Sequence, residues 1–295
     1  MTFTSRSVLL LTAVLFFSAS VLAEEETPSI PSTDITIIPI KSDGKLIKVE
    51  AGNALNVLHH DGYDNQPHFS KDGKQLYFTR MLDQQTDIFV YRFDDKKLSN
   101  ITNTQNISEY SPTVYNPSSL SVIGVNPEGQ QHLRLVSLVG DSQKVLNPEI
   151  EPVGYHAWLN TELATVFVLG DVMTLQLFDI NSEGQSEPLI ENIGRCLQRI
   201  EENKVSFTQV IDGQHHLFTL NQKAEVEPTG IVLPDGVQDY VWWDSEGVLV
   251  GQNSQLWYIS SAQKKQVADL QELKINNITR LALHNTEQKL AIVHE

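Results

Sequence analysis

Cysteine is almost missing: Cys196 is the single example in 295 residues. An internal disulfide is therefore excluded, and stability has to come from burial. A lone thiol on an exported surface is a liability, so Cys196 is expected inside. Basic residues are also few, with 21 Lys and Arg against 37 Asp and Glu, a formal net charge of −16. Nucleic acid and anionic membrane surfaces, which attract clustered positive charge, are poor partners for such a chain. The acidic residues are spread along the sequence apart from Glu24–Glu26, which reads as a solvated surface rather than a recognition tail. Beyond residue 23 no apolar stretch is long enough to span a bilayer, and no segment sustains a helical period.

What the chain does have begins at its first residues. Arg6 is followed by an apolar stretch from Val8 to Phe17 and then by small residues ending in Val21, Leu22 and Ala23. This three-part layout predicts a secretory signal peptide over residues 1–23, cleaved after Ala23. A membrane anchor would need about 20 apolar residues, more than Val8 to Ala23 provide. No cysteine follows the cleavage position, so there is no lipid attachment point. The expectation is a soluble monomer, periplasmic or secreted, with a short linker over 24–33 and one domain over 34–295. Loss of Arg6 with the leader would take the formal charge to −17.

The domain carries an internal repeat. Its clearest copy starts at Asn65 with NQPHFSKDGKQLYFTR, continues through TDIFVYRF from Thr86 and ends at LSNIT from Leu98. Four short strands are predicted, the first two joined by a Lys71-Asp72-Gly73-Lys74 turn in which Gly73 supplies the positive φ of a tight hairpin. With Phe69 as anchor, apolar positions recur at Val114, Trp158, Ile200, Trp243 and Leu283. A four-strand period of about 40 to 45 residues is that of a propeller blade. The last copy holds only two strands before the chain stops at Glu295. The missing pair is found at the other end, in DITIIPI from Asp34 and KLIKVEA from Lys45, joined at Ser42-Asp43-Gly44. The fold class predicted is all-β: a six-bladed β-propeller closed by N- and C-terminal strands sharing one blade. A β-sandwich of similar content would not explain six near-equal repeats with half-blades at both ends.

The segment PHFSKDGKQLYF from Pro67 to Phe78, with its Ser111-Pro112 counterpart, resembles the blade repeat of TolB-type propellers. The resemblance implies a bare propeller similar to TolB's protein-binding half, because no room exists ahead of the first strand for the α/β domain of TolB. A hydrolase domain of the prolyl oligopeptidase type is likewise excluded, for no G-x-S-x-G elbow is present.

Ligands of propellers meet the loops at one end of the axis, where the innermost strands begin. Three residues before each anchor stand Gln66, Ser111, Tyr155, Leu197, Tyr240 and Arg280; one before stand His68, Thr113, Ala157, Arg199, Trp242 and Ala282. Gln66, His68, Tyr155, Arg199, Tyr240, Trp242 and Arg280 are the candidate binding residues, a mixture suited to contacting an envelope protein or peptide. The alternative is that Tyr155, Tyr240 and Trp242 pack between blades. No catalytic residue, metal or cofactor is expected. His59, His60 and His68 lack ligand spacing, and Asp179, Asn181, Glu183 and Gly184 imitate a calcium loop whose last position falls on Ile190. The rival enzyme reading, a metal-dependent lactonase or esterase, would find only Asn65 and Asp239 at the inner positions.

Overall fold

The computed structural model describes residues 32–295 except 44–45, 51, 53, 55–59, 141 and 185. The expected leader, most of the expected linker, Gly44 of the first turn, Lys45 and Ala51 of its second strand, and His59 lie outside the described residues.

Alternating apolar residues make short strands, and the turns between them order the strands into sheets. Blade 1 contains β3 (Asp64–Phe69), β4 (Gln75–Leu82), β5 (Gln85–Arg92) and β6 (Lys97–Asn100). Blade 2 contains β7 (Ser108–Asn116), β8 (Ser119–Val125), β9 (Gln131–Ser137) and β10 (Gln143–Val145). Blade 3 follows with β11 (Val153–Trp158), β12 (Leu163–Val168), β13 (Thr174–Asp179) and β14 (Pro188–Glu191). Blade 4 has β15 (Gln198–Glu201), β16 (Lys204–Ile211), β17 (Gln214–Asn221) and β18 (Val226–Val232). In blade 5 come β19 (Val241–Trp242), β20 (Gly247–Gln252), β21 (Gln255–Ser260) and β22 (Lys264–Asp269). Each is an antiparallel meander of four strands, and together with the terminal sheet they form a six-bladed propeller.

The sixth blade is built from both ends of the chain. Its order is β2 (Leu46–Val49), β1 (Asp34–Asp43), β24 (Lys289–His294) and β23 (Arg280–His284). Strand β1 pairs with β24 from Asp34↔His294 to Pro39↔Lys289, so the ring is closed by backbone hydrogen bonds between residues more than 240 positions apart. Both faces of β1 are buried, because a blade is sandwiched between two neighbours. Ile35 and Ile37 pack with Phe69, Phe78 and Phe89 of blade 1. Ile38 and Ile40 pack with Val241, Leu249 and Leu256 of blade 5. Burying each isoleucine contributes about 1.5–3 kcal/mol, so β1 stabilises two blade interfaces at once.

The best copy of the repeat shows why its residue types recur. Asp72 Oδ1 accepts from Ser70 Oγ at 2.7 Å and from the Lys74 amide at 3.1 Å, while Ser70 Oγ accepts from the Gln75 amide at 2.9 Å. Gly73 sits at φ +65°, and a Cβ there would run into the side chain of Glu287. That close approach is an interblade clasp, in which Lys289 Nζ donates to the Gly73 carbonyl at 2.9 Å.

Candidate functional site

Strand pairing sets the inner positions of all six blades. Phe69, Val114, Trp158 and Leu283 each face the second residue of the next strand, namely Leu76, Leu120, Ala164 and Leu290. In blades 4 and 5 the residues in that register are Arg199, opposite Val205, and Trp242, opposite Val248. The sequence anchors Ile200 and Trp243 are therefore one residue late. A shift of one reverses which face a side chain takes. Three residues before the structural anchors stand Gln66, Ser111, Tyr155, Cys196, Asp239 and Arg280, and all six line one cavity of about 200 Å³.

Of the candidate residues, Gln66, His68, Tyr155, Arg199 and Arg280 are brought together around this cavity. Tyr240 is not: it is fully buried in the cluster with Cys196, Leu217 and Val248, and its hydroxyl donates to Ser206 Oγ at 2.9 Å. Trp242 also points elsewhere, donating from Nε1 to the same Ser206 Oγ at 2.8 Å and lining a separate cleft with Glu201 and Glu246. Two further charged residues join the cavity: Asp239, named in the sequence only as a possible metal ligand, and Arg195, which sequence reasoning missed.

Charge is concentrated at one side of the cavity. Arg195 donates to Asp239 Oδ2 from Nε at 2.8 Å and from Nη2 at 2.5 Å. Arg280 Nε stands 3.6 Å from Asp239 Oδ1, beyond hydrogen-bond reach. Its Nη2 donates to the Tyr155 hydroxyl at 3.4 Å, and the guanidinium lies 5.2 Å from the centre of the Tyr155 ring. This contact joins blade 6 to blade 3 across the axis. Burial is the largest influence and opposes the Arg280 charge, but the Asp239 carboxylate, Tyr155 and Tyr63 together outweigh it and keep the guanidinium protonated. A second cavity of about 410 Å³ adjoins the first and shares Arg195, Asp239, Arg280 and Leu281 with it.

Burial keeps several other groups here neutral. His68 faces the cavity but is enclosed by protein, and burial pulls its pKa down to about 4. Burial takes His156 to about 3, helped by repulsion from His68. The Cys196 thiol is pushed up to about 12, by burial first and by Asp239 second, so it is a poor nucleophile at neutral pH. Burial also lifts the Tyr63 hydroxyl to about 12.

Ser121 Oγ and His156 Nε2 are 2.7 Å apart, the spacing of a nucleophile and its base. Their surroundings argue for a structural role. Ser121 is fully buried and its oxygen also accepts from Trp158 Nε1 at 2.9 Å, while the imidazole is too acidic to serve as a base. His156 Nδ1 has no hydrogen-bond partner, so no third group orients the ring.

No group of three or more His, Cys, Asp or Glu side chains suited to a metal ion occurs among the described residues. In the imitation calcium loop, Asp179 Oδ1 accepts from the Asn181 amide at 2.8 Å and the segment forms the turn between β13 and β14. Among the described residues no helix is long and apolar enough to cross a membrane.

No protein-family model and no curated protein matches the chain. Solved structures do. A putative TolB from Agrobacterium tumefaciens superposes with a TM-score of 0.64 at 13% identity, covering 89% of this chain and 98% of that one. TolB from Acinetobacter baumannii gives 0.56 at 9% identity, over 89% of this chain and 64% of that one. A chain of the nidogen/laminin complex gives 0.57 at 10% identity, over 89% and 98%. With six meandering blades, a terminal blade zipped from both chain ends and these superpositions, the chain has the fold of a TolB-type β-propeller.

Proposed function

We propose that this chain is an exported, non-catalytic binding module of the cell envelope, which docks a protein or peptide on the face where its inner strands begin. The fold alone hosts both binding and catalytic proteins, so the reading rests on the site. The observation that carries it is the cluster at the cavity: Arg195, Arg280 and Tyr155 converge on it, and arginine and tyrosine are the side chains most often dominant in protein interfaces. The nucleophiles nearest the cavity speak against catalysis, since Cys196 stays protonated and Ser121 is sealed. The matched chain of the nidogen/laminin complex, which shares the fold, adds the example of a propeller found in a protein complex.

Export follows from the leader-like sequence of residues 1–23, and a monomer from a closed ring whose β1 edge is already paired. Co-purification with cross-linking from an envelope fraction tests the docking face, with wild type compared with Arg280→Ala. Recovery of a partner that is lost at least fivefold in the variant is expected. Equal recovery would remove this face from consideration. N-terminal sequencing of the exported protein is expected to begin at Glu24.

A further inference from the structure

The cavity is built for a particular chemical group. Three arginines line it, Arg195, Arg199 and Arg280, against the single acidic residue Asp239. Asp235, on the rim of the adjoining cavity, is exposed and accepts from Gln214 Nε2 at 3.2 Å. Positive charge is therefore in excess here, on a chain whose total is −16.

Arg195 satisfies Asp239 through Oδ2, leaving Arg280 the less engaged of the two. The Arg280 side chain is 16% exposed, and its five donors make one long hydrogen bond, to Tyr155. Its Nε is buried without a hydrogen-bond partner. A guanidinium presents paired N–H groups in a planar fork that matches the two oxygens of a carboxylate. Leaving such donors unfilled in a buried position is costly, and an entering carboxylate fills them.

Polar atoms elsewhere in the cavity are also without partners. His156 is 6% exposed and its Nδ1 has none. Ser121 Oγ accepts from Trp158 Nε1 and has both the Thr113 carbonyl, at 3.4 Å, and His156 Nε2 within reach, so Nδ1 faces the cavity side as a neutral donor or acceptor according to the tautomer. Ser111 Oγ is likewise buried and unpartnered. The cavity thus combines an anion-binding side with neutral groups able to pair with amides.

We propose that this axial cavity binds a carboxylate through the guanidinium of Arg280, assisted by Arg195, the carboxylate being that of a peptide chain end or of a small free organic acid. The inference deepens the binding reading above and names the chemistry at the same site.

Calorimetric titration of the exported protein at pH 7 tests it with four probes: N-acetyl-trialanine, its C-terminal amide, N-acetylalanine and inorganic phosphate. Binding of the tripeptide acid at least tenfold tighter than of its amide is expected, with a tenfold or greater loss in Arg280→Gln. Arg195→Gln, a more exposed position, is the second variant should the first fail to melt cooperatively. Tight binding of the tripeptide acid with weak N-acetylalanine identifies a chain end as the source; comparable binding of both supports the carboxylate and removes the peptide requirement. Acid and amide binding equally would overturn the carboxylate inference while leaving peptide docking intact. Phosphate binding as tightly as the acids, or no binding by any probe up to 10 mM, also overturns it.

Discussion

Two interblade joints of this propeller place a serine at the same position of the second strand and differ in what meets it. Between blades 4 and 5, Ser206 Oγ accepts from both Trp242 Nε1 and the Tyr240 hydroxyl. Between blades 2 and 3, the equivalent Ser121 Oγ accepts from Trp158 Nε1 but meets His156 instead of a tyrosine. A tyrosine hydroxyl ends at the serine, so that joint has no further polar atom to offer. A histidine has a second ring nitrogen, and its Nδ1 belongs to a residue lining the axial cavity. One substitution, two residues before the anchor, separates a purely structural joint from one that also shapes a binding site.

The largest effect expected comes from opening the ring that holds both joints in place. Deleting residues 34–49 takes away β1 and β2, exposes the flanks of blades 1 and 5, and should leave no cooperative thermal transition; a retained sharp melt would contradict closure by the chain ends. Next is Ser206→Ala, which orphans the buried Tyr240 hydroxyl and the half-buried Trp242 indole N–H, at up to about 1–3 kcal/mol each, and is expected to lower stability by about 2–5 kcal/mol in denaturant titration. Ser121→Ala should cost less, about 1–3 kcal/mol, because His156 can turn towards the cavity while Trp158 cannot. Equal losses in the two variants would erase the distinction between the joints.

The smallest effect is one of slope. His156 stays neutral in the folded chain down to about pH 3, whereas an unfolded histidine protonates near 6.5. Between those values the unfolded state binds more protons, so folded stability falls as pH falls, by about 1.4 kcal/mol per pH unit from this residue. Glu109 acts in the opposite direction, since burial raises its pKa from 4.5 to about 7 and the folded chain loses stability as pH rises through that range. Comparing wild type with His156→Gln cancels the Glu109 contribution. The variant's stability profile between pH 6 and 4 should be flatter by about 1.4 kcal/mol per unit; parallel profiles would show that His156 is accessible to protons in the folded state.

Blade count, strand order and terminal closure were legible because period-two alternation and near-equal spacing survive even where the motif has decayed. The site was legible only in part. In blades 1, 2, 3 and 6 the apolar anchor agrees with the strand register, so Gln66, Tyr155 and Arg280 are found lining the axial cavity. In blade 5 two tryptophans stand side by side, and hydrophobicity cannot choose between Trp242 and Trp243. In blade 4 the inner position is taken by Arg199, with an irregularity between Arg199 and Glu201, so the apolar Ile200 drew the anchor. Those single-residue shifts brought Tyr240 forward in place of Asp239. Alignment on the second strands offered a better signal: VSFT from Val205 matches LYFT from Leu76, and both are free of the turn-length differences that confuse counting from the inner strand. Arg195 precedes β15 in an irregular segment, where periodicity carries no information.

The central claim is that the axial cavity and its mouth are where this propeller meets its ligand. Site-specific photo-cross-linking tests that claim most directly, with a photoreactive residue at Gln238, exposed beside Asp239 at the mouth, or at Val226, exposed on the outer strand β18. The account expects a discrete adduct from the envelope fraction at position 238, lost on adding Arg280→Gln, and none at 226. An adduct at 226 with none at 238 would place the contact on the rim of a blade and contradict the account.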